Sequence, residues 1–181
     1  MSDTVSTYVT ELRDLLKRRQ DDIRERNRQI DDGLFAAMRD PRRPEAAPEK
    51  KTVPPALNFA PLENAATRLD ESAKRYQRAL ETGRAKIASD PAALTRLNAN
   101  LRAAEQRLTD PAGLPHREWY RHLIYAPGFY TGYGVKTVPG VRESIEQDEY
   151  AQADGEIVRA ASAITRLIDS IDRASSELES K

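Results

Sequence analysis

The stretch DGEIVRAASAITRLIDSIDRASSEL, residues 154–178, decides the fold class of this chain. Its apolar residues recur at steps of three and four, and charged residues fill many of the positions between them. This period gives an α-helix one apolar face, which needs a partner. The stripe consists of Ile157, Ala161, Ile164, Ile168, Ile171 and Leu178, with Ser175 as its one polar member.

Three stretches nearer the N-terminus repeat this helical step. Pro61 and Pro91 fit the first helical position, where a missing N–H costs nothing, and Asp90 can cap the helix that Pro91 opens. At ~1.5 Å per residue these helices would be roughly 25–50 Å long. We therefore predict an all-α fold, a single domain over residues 1–181 built as an elongated antiparallel four-helix bundle. The predicted helices are 3–38, 61–89, 91–108 and 154–178.

Composition and charge exclude several classes of protein. The 181 residues include 29 Lys plus Arg and 29 Asp plus Glu, so no net field attracts nucleic acid. There is no cysteine, and therefore no thiolate nucleophile and no Cys-ligated zinc. No apolar run approaches the ~20 residues of a membrane span, and residues 1–10 do not resemble a signal peptide. The sequence assigns no compartment.

Two connections differ from ordinary bundle turns. Residues 40–55 hold five prolines and are predicted to be an exposed loop. Residues 114–140 are rich in aromatic residues and glycine and are longer than the ~2–8 residues usual between bundle helices. The aromatic residues either plug the end of the bundle as a small core or form a recognition surface. Their neighbours predict core positions for Trp119, Tyr120 and Tyr125, and a presented loop for Phe129, Tyr130 and Tyr133.

No active site can be assembled from these residues. His116 and His122 are six positions apart, so they do not share a helical face, and no acidic residue completes a zinc motif. The paired carboxylates lie on exposed charged stretches, and the sequence has neither a Gly-rich phosphate loop nor a nucleophile elbow. We expect no catalytic residue, no metal ligand and no cofactor in this chain.

The motif DPAGLPHREWYRHLIYAP, residues 110–127, carries a family resemblance. It closely resembles the transferrin receptor-like dimerisation domain of the glutamate carboxypeptidase II (prostate-specific membrane antigen) group, in zinc peptidase family M28. Members carry D-P-x-G-L-P-x-R-x-x-Y-R-H-x-I-Y-A-P, then a loop with a Tyr, then a P-G that opens a helix. Here the loop residue is Tyr133 and the dipeptide is Pro139-Gly140, and the resemblance extends over essentially the whole chain.

The resemblance implies a role inside a larger enzyme. In such enzymes this domain follows a zinc peptidase domain and a protease-associated domain, and it pairs with its copy in a homodimer. The loop after the Y-A-P run closes over the substrate pocket, whereas the two zinc ions are bound by the peptidase domain. We therefore expect an excised C-terminal homodimerisation domain that is not an enzyme on its own.

Two alternatives belong to other functional classes. The same bundle could be a non-catalytic receptor or scaffold module, as in transferrin receptor-like proteins. It could also be a free-standing bundle with a small-molecule pocket under the aromatic loop. The sequence next to residue 1 would separate an enzyme from a receptor, because only an enzyme needs an intact zinc-ligand set there.

The resemblance also assigns roles to single residues. Tyr133 matches the loop Tyr that hydrogen-bonds the terminal carboxylate of a peptide substrate. Gly132 stands where glutamate-cleaving members have a Lys, so this chain lacks the cation that favours a C-terminal Glu, and we expect a broader or more apolar preference. A loop-positioning role is expected for Tyr120, Arg121, His122 and Tyr125, with Arg121 and His122 tying the loop to the bundle by hydrogen bonds.

Overall fold

The computed structural model describes residues 2–37 and 48–180, and most of them are helical. The all-α expectation is therefore confirmed in its coarse form, with one addition, a small antiparallel sheet. In chain order the elements are α1 (Ser2–Asp31), α2 (Leu34–Ala37), α3 (Ala60–Ala88), α4 (Pro91–Arg102), a 3-10 turn (Glu105–Leu108), β1 (Tyr125–Pro127), β2 (Val135–Thr137), α5 (Pro139–Glu146) and α6 (Tyr150–Glu179).

Helix α6 is the centre of the fold and contacts α3, α4, α5 and the 3-10 turn. Its apolar stripe is buried against α1, α3 and α5, which produces the main core. A second, smaller cluster lies where the C-terminal ends of α3 and α6 meet α4. The main core includes the fully buried side chains Leu12, Leu62, Leu69, Val141, Ile145, Ile157, Ile164 and Ile168.

Helices α3 and α6, which correspond to the second and fourth predicted helices, run parallel. The Ser72 hydroxyl donates to Asp172 Oδ1 at 2.7 Å, and further along both helices in the same direction Arg75 pairs with Glu179 at 2.6 Å. Between them, α4 and then residues 103–149, with the sheet and α5, lead the chain back along α6, so that α3 and α6 point in the same direction.

The other long neighbours are antiparallel. Between α1 and α3, Arg13 pairs with Glu63 at 2.5 Å, while Gln20, further along α1, reaches back to the carbonyl of Pro54 at 3.0 Å. Helix α4 likewise runs antiparallel to α6, because Arg96 pairs with Glu177 at 3.2 Å whereas Asn100, one turn further along α4, donates to the earlier Ser170 carbonyl at 2.7 Å. The bundle therefore combines both helix directions.

Gly83 marks a close approach of α3 and α6 rather than a break in the helix. A Cβ at this position would lie 2.2 Å from the carbonyl oxygen of Leu178, a backbone atom of α6. Only glycine allows the two helices to meet at this distance.

Several predicted boundaries were wrong. The first helix was predicted to run over 3–38, but it ends at Asp31 and a turn with Gly33 at φ +72° precedes α2; position 38 lies outside the described residues. The third helix, predicted over 91–108, ends at Arg102, and its last part is a 3-10 turn. The last helix begins at Tyr150 rather than at residue 154.

The remaining segments were predicted as loops. Helix α5 begins with Pro139 at its first position, so it takes up the end of the predicted loop 114–140. Residues 48–55 of the proline loop are neither helix nor strand, and residues 40–47 lie outside the described part of the chain. Among the described residues, no helix combines the length and apolarity that crossing a membrane requires.

Candidate functional site

A β-hairpin presents the glycine-rich loop, residues 128–134. Strands β1 and β2 pair antiparallel with Pro127 opposite Val135. The loop closes on itself because Gly128 N donates to the Gly134 carbonyl at 2.8 Å and Gly132 N donates to the Gly128 carbonyl at 3.0 Å. Gly132 has φ +65°, a left-handed conformation that other residues adopt only at a cost. The loop is thus a short, internally bonded structure.

The aromatic side chains of this region face solvent. Tyr133 is 102% exposed, Tyr130 is 79% exposed and Phe129 is exposed too, as expected for a presented loop. Trp119 is 74% exposed, so its predicted core position is wrong, and Tyr120 and Tyr125 are exposed as well. The small core beneath the hairpin is aliphatic and consists of Leu114, Leu123, Ala126 and Ala163. The aromatic residues therefore do not plug the bundle.

A buried ion pair lies at the base of the loop. Arg117, only 2% exposed, donates from one terminal nitrogen to Glu143 Oε2 at 2.6 Å and from the other to the carbonyl of Pro127. The second oxygen of the same carboxylate accepts from Phe129 N at 2.8 Å. The pair therefore connects the 110–127 motif, the first residues of the loop and helix α5.

Two rings flank the buried guanidinium. The Cζ atom of Arg117 lies 5.3 Å from the centroid of the Tyr120 ring and 5.9 Å from that of Phe129. Both distances are within the range of cation–π attraction. Arg117 Nε is buried and has no hydrogen-bond partner in the described part of the protein. The guanidinium is thus held by its two terminal nitrogens and by the rings.

His122 links β1 to the 3-10 turn. Its Nδ1 accepts from the backbone N of Ile124 and of Tyr125 at 3.3 Å each, and its Nε2 lies 3.1 Å from Glu105 Oε1. The hydroxyl of Tyr125 donates to the same carboxylate oxygen at 2.5 Å. Burial lowers the pKa of His122, against the opposing effect of Glu105. These contacts fit a neutral imidazole with its proton on Nε2.

The expected loop-positioning residues differ in what they contact. Tyr120 accepts from Leu114 N at 2.8 Å through its carbonyl, and His122 and Tyr125 share Glu105. The Arg121 guanidinium is exposed and bonds to none of the described residues, although its carbonyl accepts from Asp110 N at 2.9 Å. The positioning role of these four residues stays a prediction.

The dipeptide Pro139-Gly140 is explained by a close contact with α6. A Cβ at Gly140 would lie 2.2 Å from Glu156 Oε2, and Glu156 is itself buried. Burial raises the pKa of the Glu156 carboxyl, which Arg159 partly offsets from 2.6 Å. Arg159 also pairs with Asp110 at 3.3 Å, so this network ties the start of the motif to α5 and α6.

The loop itself carries no charge. Residues 128–134 contain no acidic or basic side chain, and the adjacent Lys136 is engaged by Glu146 at 2.8 Å. Among the described residues, the Tyr133 hydroxyl has no hydrogen-bond partner, and no group of three or more His, Asp or Glu side chains could hold a metal ion. His116 and His122 face different carboxylates, those of Glu149 and Glu105.

Sequence reasoning missed Arg117 and Glu143. Arg117 belongs to the quoted motif, but its burial depends on Glu143, which lies in the unpredicted helix α5. An arginine within a run of Leu, Pro, Trp and Tyr was the available signal, since such surroundings favour a buried and paired cation.

Comparison with known proteins points to one family. Residues 57–175 match the transferrin receptor-like dimerisation domain. A probable glutamate carboxypeptidase of Arthroderma benhamiae is 44% identical over 68 residues, which is 38% of this chain and 9% of that protein. One of Arabidopsis thaliana is 52% identical over 50 residues, 28% of this chain and 7% of that protein. An inactive zinc metalloprotease of Schizosaccharomyces pombe is 35% identical over 69 residues, 38% of this chain and 9% of that protein.

Proposed function

The chain belongs to the transferrin receptor-like dimerisation domain family, and from this premise we propose that it is the C-terminal homodimerisation domain of a glutamate carboxypeptidase-like zinc exopeptidase. The matched segments span less than a tenth of the named relatives, which supports the proposal that the peptidase chemistry belongs to a longer protein. We propose that this protein's peptidase domain binds its two zinc ions, and that this chain supplies a loop that closes the substrate pocket.

Exposed apolar side chains support self-association. Leu80, Leu94, Leu101 and Val158 lie on the outer faces of α3, α4 and α6. A stable dimer interface buries ~1,200–2,000 Å² in total. Light scattering at micromolar concentration should give about twice the 20.4 kDa mass of the chain. A single 20.4 kDa species across the concentration range would contradict the dimer.

The pocket-closing role is supported above all by the exposure of Tyr133. Its side chain is fully exposed, on a loop whose backbone is bonded internally and is fixed to α5 at Phe129. A phenol held in this way loses little entropy on binding and can donate to a terminal carboxylate. Tyr133 is therefore proposed to bond the C-terminal carboxylate of the peptide substrate.

The uncharged loop supports a broad or apolar substrate preference. Gly132 offers no cation, and Lys136 is neutralised by Glu146. A substrate ending in Glu would thus meet no opposite charge from residues 128–134. Neutral C-terminal residues avoid the desolvation cost that an unpaired carboxylate would incur in a closed pocket.

Tyr133→Phe in the longer enzyme tests the proposed contact. Removing one charge-assisted bond of ~1.5–3 kcal/mol should lower kcat/KM by about 10–150-fold. The unfolding midpoint should not change, because the hydroxyl has no partner in the described part of the chain. Tyr130→Phe, the same substitution in the same loop, is the matched control. Equal effects of the two substitutions would refute the assignment of Tyr133.

A receptor or scaffold function is the second candidate. One relative of this chain is named an inactive zinc metalloprotease, and this name supports the second candidate. Zinc analysis of the longer protein separates the two: two zinc ions per chain support the enzyme, and none supports the scaffold.

A further inference from the structure

We propose that Arg117 and Glu143 are positioning residues, and that their buried ion pair fixes the orientation in which residues 128–134 present Tyr133. This inference rests on the proposed function of the loop. It assigns the orientation to two residues that contact neither the Tyr133 hydroxyl nor, as we propose, the substrate.

The pair holds the loop where it leaves β1. Arg117 binds the carbonyl of Pro127, the last residue of β1, and Glu143 Oε1 binds the N–H of Phe129. These two backbone groups flank Gly128, where the chain turns into the loop. Because Glu143 belongs to α5, the loop is oriented relative to the bundle and not only relative to its own hairpin.

The returning strand has separate anchors to the same helix. Arg142 donates through Nε to the Thr137 carbonyl at 3.1 Å, and Lys136 pairs with Glu146 at 2.8 Å. Loss of the Arg117–Glu143 pair would therefore free the outgoing end of the loop and leave β2 attached. A localised change, rather than unfolding of the whole hairpin, is the expected signature.

Neither partner can be replaced singly without losing a contact. Each oxygen of Glu143 has its own donor, 2.6 Å from Arg117 and 2.8 Å from Phe129 N. Glutamine has one acceptor oxygen, so Glu143→Gln can serve only one of the two donors. In Arg117→Lys a single ammonium group replaces the two terminal guanidinium nitrogens, one of which bonds to Glu143 and the other to the carbonyl of Pro127.

Amide hydrogen exchange on this chain tests the proposal. For Glu143→Gln and for Arg117→Lys, the exchange rate of each amide is divided by its rate in the wild type. This ratio should be at least ten times larger for the Phe129 amide and its loop neighbours than for α6 core amides such as Ile164. The double substitution Arg117→Met with Glu143→Leu removes both charges and should recover global stability. The loop amides of this double variant should still exchange rapidly. If the pair only stabilised the fold, their exchange would return to the wild-type rate together with global stability.

Leu97→Ala is the matched control for general destabilisation. Leu97 is buried in the second cluster, away from the hairpin, so its loss should weaken the whole fold without a selective effect on the loop. The proposal is overturned if loop exchange follows global stability in all four variants, or if it stays within twofold of the wild-type rate. Both outcomes are measured by hydrogen exchange in the absence of substrate. They are therefore distinguishable from a failure of Tyr133 to bind substrate.

Discussion

At the scale of single residues, the base of the loop is defined by buried charges rather than by its aromatic rings. Arg117 and Glu143 each satisfy more than one partner, and Glu156 meets Gly140 without room for a methyl group. The sequence indicated Tyr133 and Gly132 through their place in the loop that follows the motif. It could not indicate Glu143, because the burial of a lone carboxylate depends on which arginine the fold brings to it.

Gly132→Lys in the longer enzyme should shift the preference toward substrates that end in Glu. The position has open space, since no atom lies within 4 Å of a Cβ there, although φ +65° imposes a cost of ~1–2 kcal/mol on any side chain. We expect at least a tenfold gain in kcat/KM for Glu-ended relative to Leu-ended peptides, about 1.4 kcal/mol. Gly132→Gln imposes the same strain without the charge, and an equal gain there would argue against the electrostatic explanation.

His122 should make the stability of the domain fall in mild acid. Burial lowers the pKa of His122, so the unfolded chain takes up a proton at higher pH than the folded one does. The contribution of His122 to the free energy of unfolding is complete at pH values above the unfolded-state pKa of ~6.5. It is lost as the pH falls below that value toward the lower pKa of the folded state.

Urea unfolding at pH 7.5 and pH 5 measures this effect. His122→Asn keeps an acceptor for the Ile124 and Tyr125 amides but does not titrate in this range. The variant should lose less unfolding free energy between the two pH values than the wild type. All carboxylates and His116 are common to both proteins, so an identical pH dependence would exclude His122 as the source.

At the scale of elements, the long helices could be predicted and the short elements could not. Asp90 caps α4 as expected, because its Oδ1 accepts from Ala92 N and Ala93 N at 3.0 Å each. Strands of three residues are too short to show a period of two, and α5 spans only eight residues. The predicted end of α4 was wrong because Ala104 and Leu108, which lie beyond the helix, continue the helical spacing of its apolar residues.

Two glycines in helices should respond to alanine in opposite directions. Gly155→Ala, at an exposed position of α6 with nothing within 4 Å, should stabilise the fold by ~0.5–1 kcal/mol through helix propensity. Gly83→Ala should destabilise it by ~1–3 kcal/mol, because the new methyl group would meet the Leu178 carbonyl. Unfolding free energies from urea titration measure both, and a stabilising Gly83→Ala would show that α3 and α6 are less closely packed.

At the scale of the whole molecule, helix direction is the feature that periodicity does not encode. An apolar stripe shows which face of a helix is buried, but a parallel and an antiparallel neighbour bury it equally well. The shared direction of α3 and α6 follows from the return segment 91–149, whose path is set by long-range contacts such as Arg96 with Glu177 and Arg159 with Asp110. The Arg19–Asp148 pair at 2.6 Å then fastens the end of that segment to α1.

Trp119 gives this protein a built-in optical reporter. It is the only tryptophan in the sequence, its side chain is 74% exposed, and it follows the buried Arg117 by two residues. Its fluorescence should therefore be strongly quenched by acrylamide in the isolated chain. A neighbouring domain or second copy that covers the aromatic surface should reduce the quenching and shift the emission to the blue. One unlabelled side chain thus distinguishes partners that cover this surface from those that bind elsewhere.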